Sequence, residues 1–280
     1  MDRFIEDMLK EDKGFGDITS EALIPKDQEI YAIIVSKDVG VAAGMDIVEE
    51  MFLEEGIKTV KLVEDGNLIE KGDILFKLKG NARKILLLER TALNITMRMS
   101  GVATATNDIC RKVHDVNPNL RIAGTRKTSP GFSIFDKEAI TIGGGDSHRY
   151  GLDDMVLIKD NHIVAVGSVE EALKRALDNV SFSKKIEIEV ETIEDAINVA
   201  GLGADIIMLD NFYPDKAQEC IEKLEELDLR DNVLIEISGG ITSDNIMDYA
   251  KLNIDIISLG ALTHSTRSLD YSLKVVKSLD

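Results

Sequence analysis

The sequence predicts an α/β protein whose second half is a mostly parallel β/α array. Three observations carry this. From Leu120 onward, short β-branched apolar runs alternate with helix-like stretches. The runs start apolar and finish in polar or glycine residues. Ahead of Leu120 the texture differs, with turn-punctuated short runs and one long helical pattern.

In chain order, residues 3–12 read as a short helix, ended by Gly14, Gly16 and Asp17. Gln28–Asp38 reads as a strand and Met45–Glu55 as a helix after Gly44. VKLVEDGNLIEKGDILFKLKG places two apolar runs around Glu64-Asp65-Gly66, with a second turn at Lys71-Gly72-Asp73. It resembles lipoyl-carrier hairpins, but no lysine sits at a tip between small turn residues, so it reads as structural. Asn81 opens a long helical pattern with an expected break at Ser100-Gly101. Leu86, Arg90, Leu93 and Met97 recur at helical spacing, which sets Arg90 on or beside an apolar face. An arginine there is usually paired or snorkelling, and less often touches a ligand.

The strand candidates that follow are RIAGTRKT, AITIGGG, MVLIKDNH, KIEIEVET, DIIMLDN, VLIEISGG and DIISLGAL. Their count suits a barrel better than an open sheet, although it falls short of eight, so the barrel is expected to be incomplete or open. In such an array the polar strand ends share one rim, where β/α barrels do their chemistry.

Charge points to the same rim. The chain carries 33 Lys+Arg against 51 Asp+Glu, a formal net charge of -18. Yet between Arg121 and Asp160 six cations (Arg121, Arg126, Lys127, Lys137, Arg149, Lys159) balance six acids (Asp136, Glu138, Asp146, Asp153, Asp154, Asp160). Cations spared for one place in an acidic protein suit a small polyanion. The acidic balance argues against nucleic-acid binding. No apolar run is long enough to span a bilayer, and the N-terminus lacks a basic-then-apolar signal pattern; the chain reads as cytoplasmic. Cys110 and Cys220 are far apart, without metal or disulfide spacing, and read as buried thiols.

Individual residues fit this picture. Arg126 offers a planar clamp for a carboxylate and Lys127 a point charge for phosphate, with a rim salt bridge as the bland alternative for both. The His148-Arg149 pair follows three glycines whose turn chemistry does not explain it. Lys159-Asp160-Asn161-His162 ends a strand. Glu187, Glu189 and Glu191 alternate on one strand and share a face; facing inward they need cations or a metal, facing outward they are only solvated. Glu189 and Asp210 suit Mg²⁺ or sugar hydroxyls. Ser238-Gly239-Gly240 and Gly260-Ala261 suit backbone binding of phosphate, and His264 is as readily a cap or core residue as a ligand. No Gly-x-Gly-x-x-Gly after a strand, no Gly-x-x-x-x-Gly-Lys-Ser/Thr and no Gly-x-Ser-x-Gly is present.

Taken as blocks, GFGDITSEALIP (14–25), ERTALN (89–94), TRKTSPG (125–131), GGGDSHRYGL (143–152), IKDNHI (158–163), EVET (189–192), MLDN (208–211), SGGIT (238–242) and SLGALTHS (258–265) closely resemble the quinolinate phosphoribosyltransferases, in that family's order and nearly end to end. The resemblance implies an N-terminal α/β sandwich domain with a long linking helix (1–103), an open seven-stranded α/β barrel (104–265) and a C-terminal helix returning to the first domain (266–280). It implies conversion of quinolinate and phosphoribosyl pyrophosphate to nicotinate mononucleotide, pyrophosphate and CO2, with Mg²⁺ and no organic cofactor, in a homodimer or higher homo-oligomer. Carried over by position, Arg90 (donated by the partner subunit), Arg126, His148 and Arg149 would bind the quinolinate carboxylates. Thr125 belongs to the same binding block, and Lys127 and Lys159 would serve phosphates and the substrate junction. Glu189 and Asp210 would meet ribose hydroxyls and metal; Ser238, Gly239, Gly240, Leu259, Gly260, Ala261 and His264 would surround the 5′-phosphate. Lys127, Lys159, Glu189 and Asp210 are the expected catalytic set. One departure is Gly124, where the family often has an acid before TRKT. The alternatives are a nicotinate phosphoribosyltransferase on the same barrel, a non-catalytic molybdenum-transport-associated relative, and an unrelated barrel enzyme using Lys159 as a Schiff base.

Overall fold

The computed structural model describes residues 3–277. The chain divides into two compact units. One combines the chain up to Asn107 with Ser129–Gly144 and the residues from Ser265 onward; the other combines Asp108–Thr128 with Gly145–His264.

The first unit opens with α1 (Arg3–Lys13) and α2 (Ile18–Leu23). Asp17 caps α2, its carboxylate accepting from Ser20 N at 3.0 Å. Next come β1 (Glu29–Ser36), β2 (Gly40–Val41), α3 (Met45–Glu54), β3 (Lys58–Lys61), β4 (Leu68–Ile69) and β5 (Ile74–Asn81). The two apolar runs around Glu64-Asp65-Gly66 do not pair with each other. β3 pairs with β5, while β4 pairs with β2. The intervening turn serves α3, whose Met45 N donates to Asp65 Oδ1 at 2.9 Å. Helix α4 (Ala82–His114) then runs without the break expected at Ser100-Gly101. The glycine there answers a packing need: a Cβ on Gly101 would meet Arg267 O at 2.2 Å. Ser100 Oγ accepts from Ala43 N at 2.9 Å.

The C-terminal segment corrects another expectation. Tyr271–Val276 is a strand, not a helix; it pairs antiparallel with β1 at the edge of the four-stranded sheet. The alternation in YSLKVV has the two-residue period of a strand. The last three residues of the expected helix, 278–280, lie outside the described residues. Phe52, Phe76, Leu75, Leu78, Met45 and Met51 fill this unit's core at 0% exposure, each contributing about 1.5–3 kcal/mol by burial.

The second unit holds a six-stranded parallel sheet, made by β6 (Arg121–Ala123), β7 (Val156–Ile158), β8 (Ile186–Val190), β9 (Ile206–Asp210), β10 (Leu234–Ser238) and β11 (Ile256–Ser258). Its order is β6-β11-β10-β9-β8-β7. The seventh expected strand, AITIGGG, is helical: it ends α5 (Ser133–Ile142), which belongs to the first unit. Phe135, Asp136, Ala139 and Ile140 are buried at helical spacing. What remains of a seventh strand is one parallel bridge, Asp146 to Ala123. Asp146 N donates to Ile122 O at 2.8 Å, and Gly124 N to Asp146 O at 2.9 Å. Helices α6 (Asp160–Val166), α7 (Val169–Asn179), α8 (Ile193–Leu202), α9 (Pro214–Glu226), α10 (Ile246–Tyr249) and α11 (Ala261–His264) connect or follow the strands.

Period-two alternation sorts the inward side chains of this sheet by height. Ala123, Ile206 and Ile256, with Met155 packed against them, form an apolar floor. One step up, Met208 sits in register with Glu236 and Glu189. Asp210 pairs with Ser238 at the strand ends.

Candidate active site

A cavity of about 520 Å³ opens at the C-terminal ends of these strands. Its lining includes Thr125, Arg126, Lys127, His148, Arg149, Lys159, Glu189, Asp210, Ser238, Gly239 and Gly240, all named from the sequence. The fold assembles them by continuing each strand a few residues past its last ladder bond. Arg126 and Lys127 follow β6 in a tight turn, with Lys127 N donating to Thr125 Oγ1 at 3.1 Å and Thr128 N to Arg126 O at 3.0 Å. Among the described residues neither Arg126 nor Lys127 has an acid partner within ion-pair range, so the salt-bridge alternative finds no support. The backbone of Lys127 is fixed, its carbonyl accepting from Thr263 Oγ1 at 2.8 Å.

Four sequence-named residues lie around Lys127 or behind it rather than on the lining. A Cβ on Gly260 would meet Lys127 Cδ at 3.0 Å and His264 Cδ2 at 3.1 Å, which puts Gly260, exposed His264 and the lysine stem together. Ala261 starts α11 beside them. Leu259 is buried, its N–H donating to Ala123 O at 2.9 Å. Arg90 is exposed on α4 in the first unit, beside the face that holds Leu86, Leu93 and Met97, and is not among the residues lining this cavity.

Lys159 Nζ donates to Glu189 Oε2 at 2.7 Å. Its own backbone N–H donates to His162 Nδ1 at 2.9 Å, so His162 caps α6 and explains its place in KDNH structurally. Asp210 is half-buried and accepts from Asn211 Nδ2 at 2.7 Å. Burial and the nearby charge of Glu189 raise the Asp210 pKa above the ordinary aspartate value. Glu189 and Asp210 are neighbouring carboxylates, oxygen donors of the kind a hard divalent cation such as Mg²⁺ takes.

The β9 and β10 ends interlock. Asn211 has a left-handed backbone (φ 55) and donates its N–H to Ser238 O at 2.9 Å. A Cβ on Gly239 would fall 2.3 Å from Asn211 Oδ1, and its φ is +91, so only glycine fits. Ser258 Oγ donates to Ser238 Oγ at 3.0 Å.

His148 is largely buried, its side chain 11% exposed. Its backbone is left-handed (φ 54), with its N–H donating to Asp146 Oδ1 at 2.7 Å. Nε2 lies 3.1 Å from Glu236 Oε2 and 3.4 Å from Glu187 Oε2, both fully buried. Burial opposes protonation, but the contacts with Glu187 and Glu236 outweigh it and raise the imidazole pKa to about 10. Burial raises the Glu187 pKa, against the pull of His148 and Arg149. For Arg149, burial and the charge of Arg126 both lower the pKa.

Glu187 therefore faces inward, Glu189 is partly exposed and Glu191 is exposed, which settles the face left open by their alternation. Glu236 had not been singled out from the sequence. Its signal was present: in VLIEISGG it shares a face with Ser238, so a serine at the rim implied an acid beneath it.

Residues 17–100 match the model of the quinolinate phosphoribosyl transferase N-terminal domain, and residues 102–274 match that of the C-terminal domain. A probable nicotinate-nucleotide pyrophosphorylase (carboxylating) from Methanocaldococcus jannaschii is 48% identical over 277 residues, covering 98% of this chain and 97% of the relative. The protein of that name from Methanothermobacter thermautotrophicus is 46% identical over 271 residues, 97% of each chain. The solved nicotinate-nucleotide pyrophosphorylase from Francisella tularensis superposes with a TM-score of 0.89 at 34% identity, over 98% of this chain and 95% of that one. Both domain models match in order and together span most of the chain. The chain belongs to the quinolinate phosphoribosyltransferase family.

Proposed function

We propose that this protein converts quinolinate and phosphoribosyl pyrophosphate to nicotinate mononucleotide, pyrophosphate and CO2, a step of NAD biosynthesis. The observation that carries this reading is the pairing of opposites in one cavity. Arg126 and Lys127 have no acid partner among the described residues, while Glu189 and Asp210 crowd each other nearby. Unpaired cations suit a dianionic pyridine and a phosphorylated sugar. The acids suit ribose hydroxyls and a developing cation.

Arg126, His148 and Arg149 hold the two carboxylates, and Thr125 braces their turn. Lys127 and Lys159 serve the phosphates and the junction between substrates. Ser238, Gly239 and Gly240, with Leu259–Ala261 and His264, receive the 5′-phosphate. Departure of pyrophosphate leaves an oxocarbenium-like ribose, which Glu189 and Asp210 stabilise. The pyridine nitrogen supplies the electron pair for the new C–N bond and becomes quaternary. It then accepts the electrons of the C2–carboxylate bond, CO2 leaves, and a solvent proton takes its place on C2. Because the substrate ring is its own electron sink, the chemistry calls for no organic cofactor. Mg²⁺, held by Glu189 and Asp210, would neutralise charge on the phosphorylated donor.

The protein works in the cytoplasm as a homodimer or larger homo-oligomer, with Arg90 given to the partner's site. No described helix is long and apolar enough to cross a membrane, and Cys110 and Cys220 are free and buried. Mixing an inactive Arg90→Ala protein with an inactive Lys159→Ala protein should restore partial activity. Verified mixed dimers without activity would remove Arg90 from a shared site. The function itself is tested by product analysis: nicotinate mononucleotide should form from quinolinate, phosphoribosyl pyrophosphate and Mg²⁺ together, and not from nicotinate. Product from nicotinate alone would make it the non-carboxylating transferase instead.

A further inference from the structure

Glu187 and Glu236 play no part in the chemistry above, yet the fold keeps both at 0% exposure. Both Glu187 oxygens and Glu236 Oε1 lack a hydrogen-bond partner among the described residues. A buried carboxylate so poorly satisfied is costly, and an apolar or amide side chain would be easier to bury. The acids come from separate strands, β8 and β10, and converge on one atom, His148 Nε2, at 3.4 and 3.1 Å. The ring they meet is carried on a left-handed backbone at the cavity wall, so its position is held against local preference.

We propose that Glu187 and Glu236 are positioning residues: from beneath the site they grip Nε2 of His148 and hold the ring as an imidazolium, leaving Nδ1–H and its positive charge for an anionic group of the substrate. The identity of that substrate rests on the function proposed above; the charge state of the ring does not. The charged neighbours are consistent with it. Glu187 and Glu236 face the ring from β8 and β10, Asp146 holds its backbone N–H, and Arg149 follows it in the chain. Glu187 and Glu236 thus face the imidazolium directly, and the charge of Arg149 also acts on Glu187. The donor atoms of His148, Glu187 and Glu236 all lie within 4.8 Å of one another, a spacing a cation could also use, but a metal-bound ring would have no proton on Nε2.

The test is nitrogen NMR of the full-length protein with ¹⁵N-labelled histidine rings. The chain has 4 histidines, so His148 is assigned by the signal lost in His148→Gln. At pH 8 both His148 ring nitrogens should carry protons in the wild-type protein. In the double variant Glu187→Gln/Glu236→Gln the ring should be neutral at the same pH. KM for quinolinate should rise by ~10-fold or more in that variant, with kcat changed less than ~3-fold in the folded protein. A neutral or metal-bound His148 in the wild-type protein would overturn the proposal, whether or not the variants fold. So would a folded double variant with unchanged KM. A protonated ring in a protein that ignores quinolinate would support the grip on His148 and refute the proposed function alone.

Discussion

The two ends of the parallel sheet in the second unit handle charge in opposite ways. At the strand starts, Arg230 is 8% exposed and all three of its guanidinium nitrogens are engaged. It donates to Asn253 O at 2.9 and 3.1 Å, to Val233 O at 3.0 Å and to Asp255 Oδ2 at 2.8 Å. Asp255 in turn accepts from Ile235 N at 2.8 Å. At the strand ends, Arg126 and Lys127 have no acid partner among the described residues, and Asp210 sits beside another acid. A closed network holds the fold together, whereas unbalanced charges on a rigid frame leave room for a ligand's own charges. Geometry alone thus separates structural arginines from those available to substrate.

Substitutions at each end should therefore separate stability from activity. Arg230→Ala strands half-buried Asp255 and the Val233 carbonyl and should cost about 1–3 kcal/mol in denaturant unfolding, with KM unchanged in the folded protein. A small stability loss would mean the network is not closed in solution. Arg126→Ala should do the reverse, lowering kcat/KM for quinolinate by ~100-fold with the melting temperature unchanged. Near-normal kinetics would remove Arg126 as a carboxylate clamp. Asp210→Asn should reduce kcat by about ten-fold or more while quinolinate binding stays within two-fold; an unchanged rate would exclude it from the chemistry.

The deep histidine sharpens the contrast through pH. His148 has a folded-state pKa raised to about 10, above the ~6.5 of an unfolded imidazole. Its stabilising effect is complete below the unfolded value and is lost as pH rises through the folded one. Unfolding free energy should therefore fall between about pH 6.5 and 10 in the wild-type protein, and that slope should be absent in Glu187→Gln/Glu236→Gln. Equal slopes would place the titration elsewhere. The smallest effect expected is His162→Ala, which removes the cap of α6 and should cost ~1 kcal/mol. A large loss of activity there would give His162 a role beyond capping.

The rim was legible because parallel strands spend their apolar residues early and their polar ones late. Arg126, Lys159, Glu189, Asp210 and Ser238 could be read at strand ends, and they meet in one cavity. The layer beneath them was harder to see. A lone acid inside VLIEISGG looks like a solvated position until the neighbouring strands are known to cover it, and burial is a property of the assembled sheet. AITIGGG misled for a related reason: a short β-branched run has no period of its own, and the helical spacing of Phe135 and Asp136 before it, continued by Ala139 and Ile140, decides the outcome. Gly101 looked like a helix break because a sequence does not reveal what presses against a glycine; here it is the carbonyl of Arg267. The C-terminal strand depended on a partner, β1, far away in the chain.

The most direct test of the open rim is calorimetric titration of the wild-type and Arg126→Ala proteins with quinolinate and with nicotinate. The wild-type protein should bind the dicarboxylate far more tightly than the monocarboxylate, and Arg126→Ala should erase most of that difference. Equal affinity for the two acids in the wild-type protein, or a preference untouched by the substitution, would contradict the assignment of the unpaired cations to substrate.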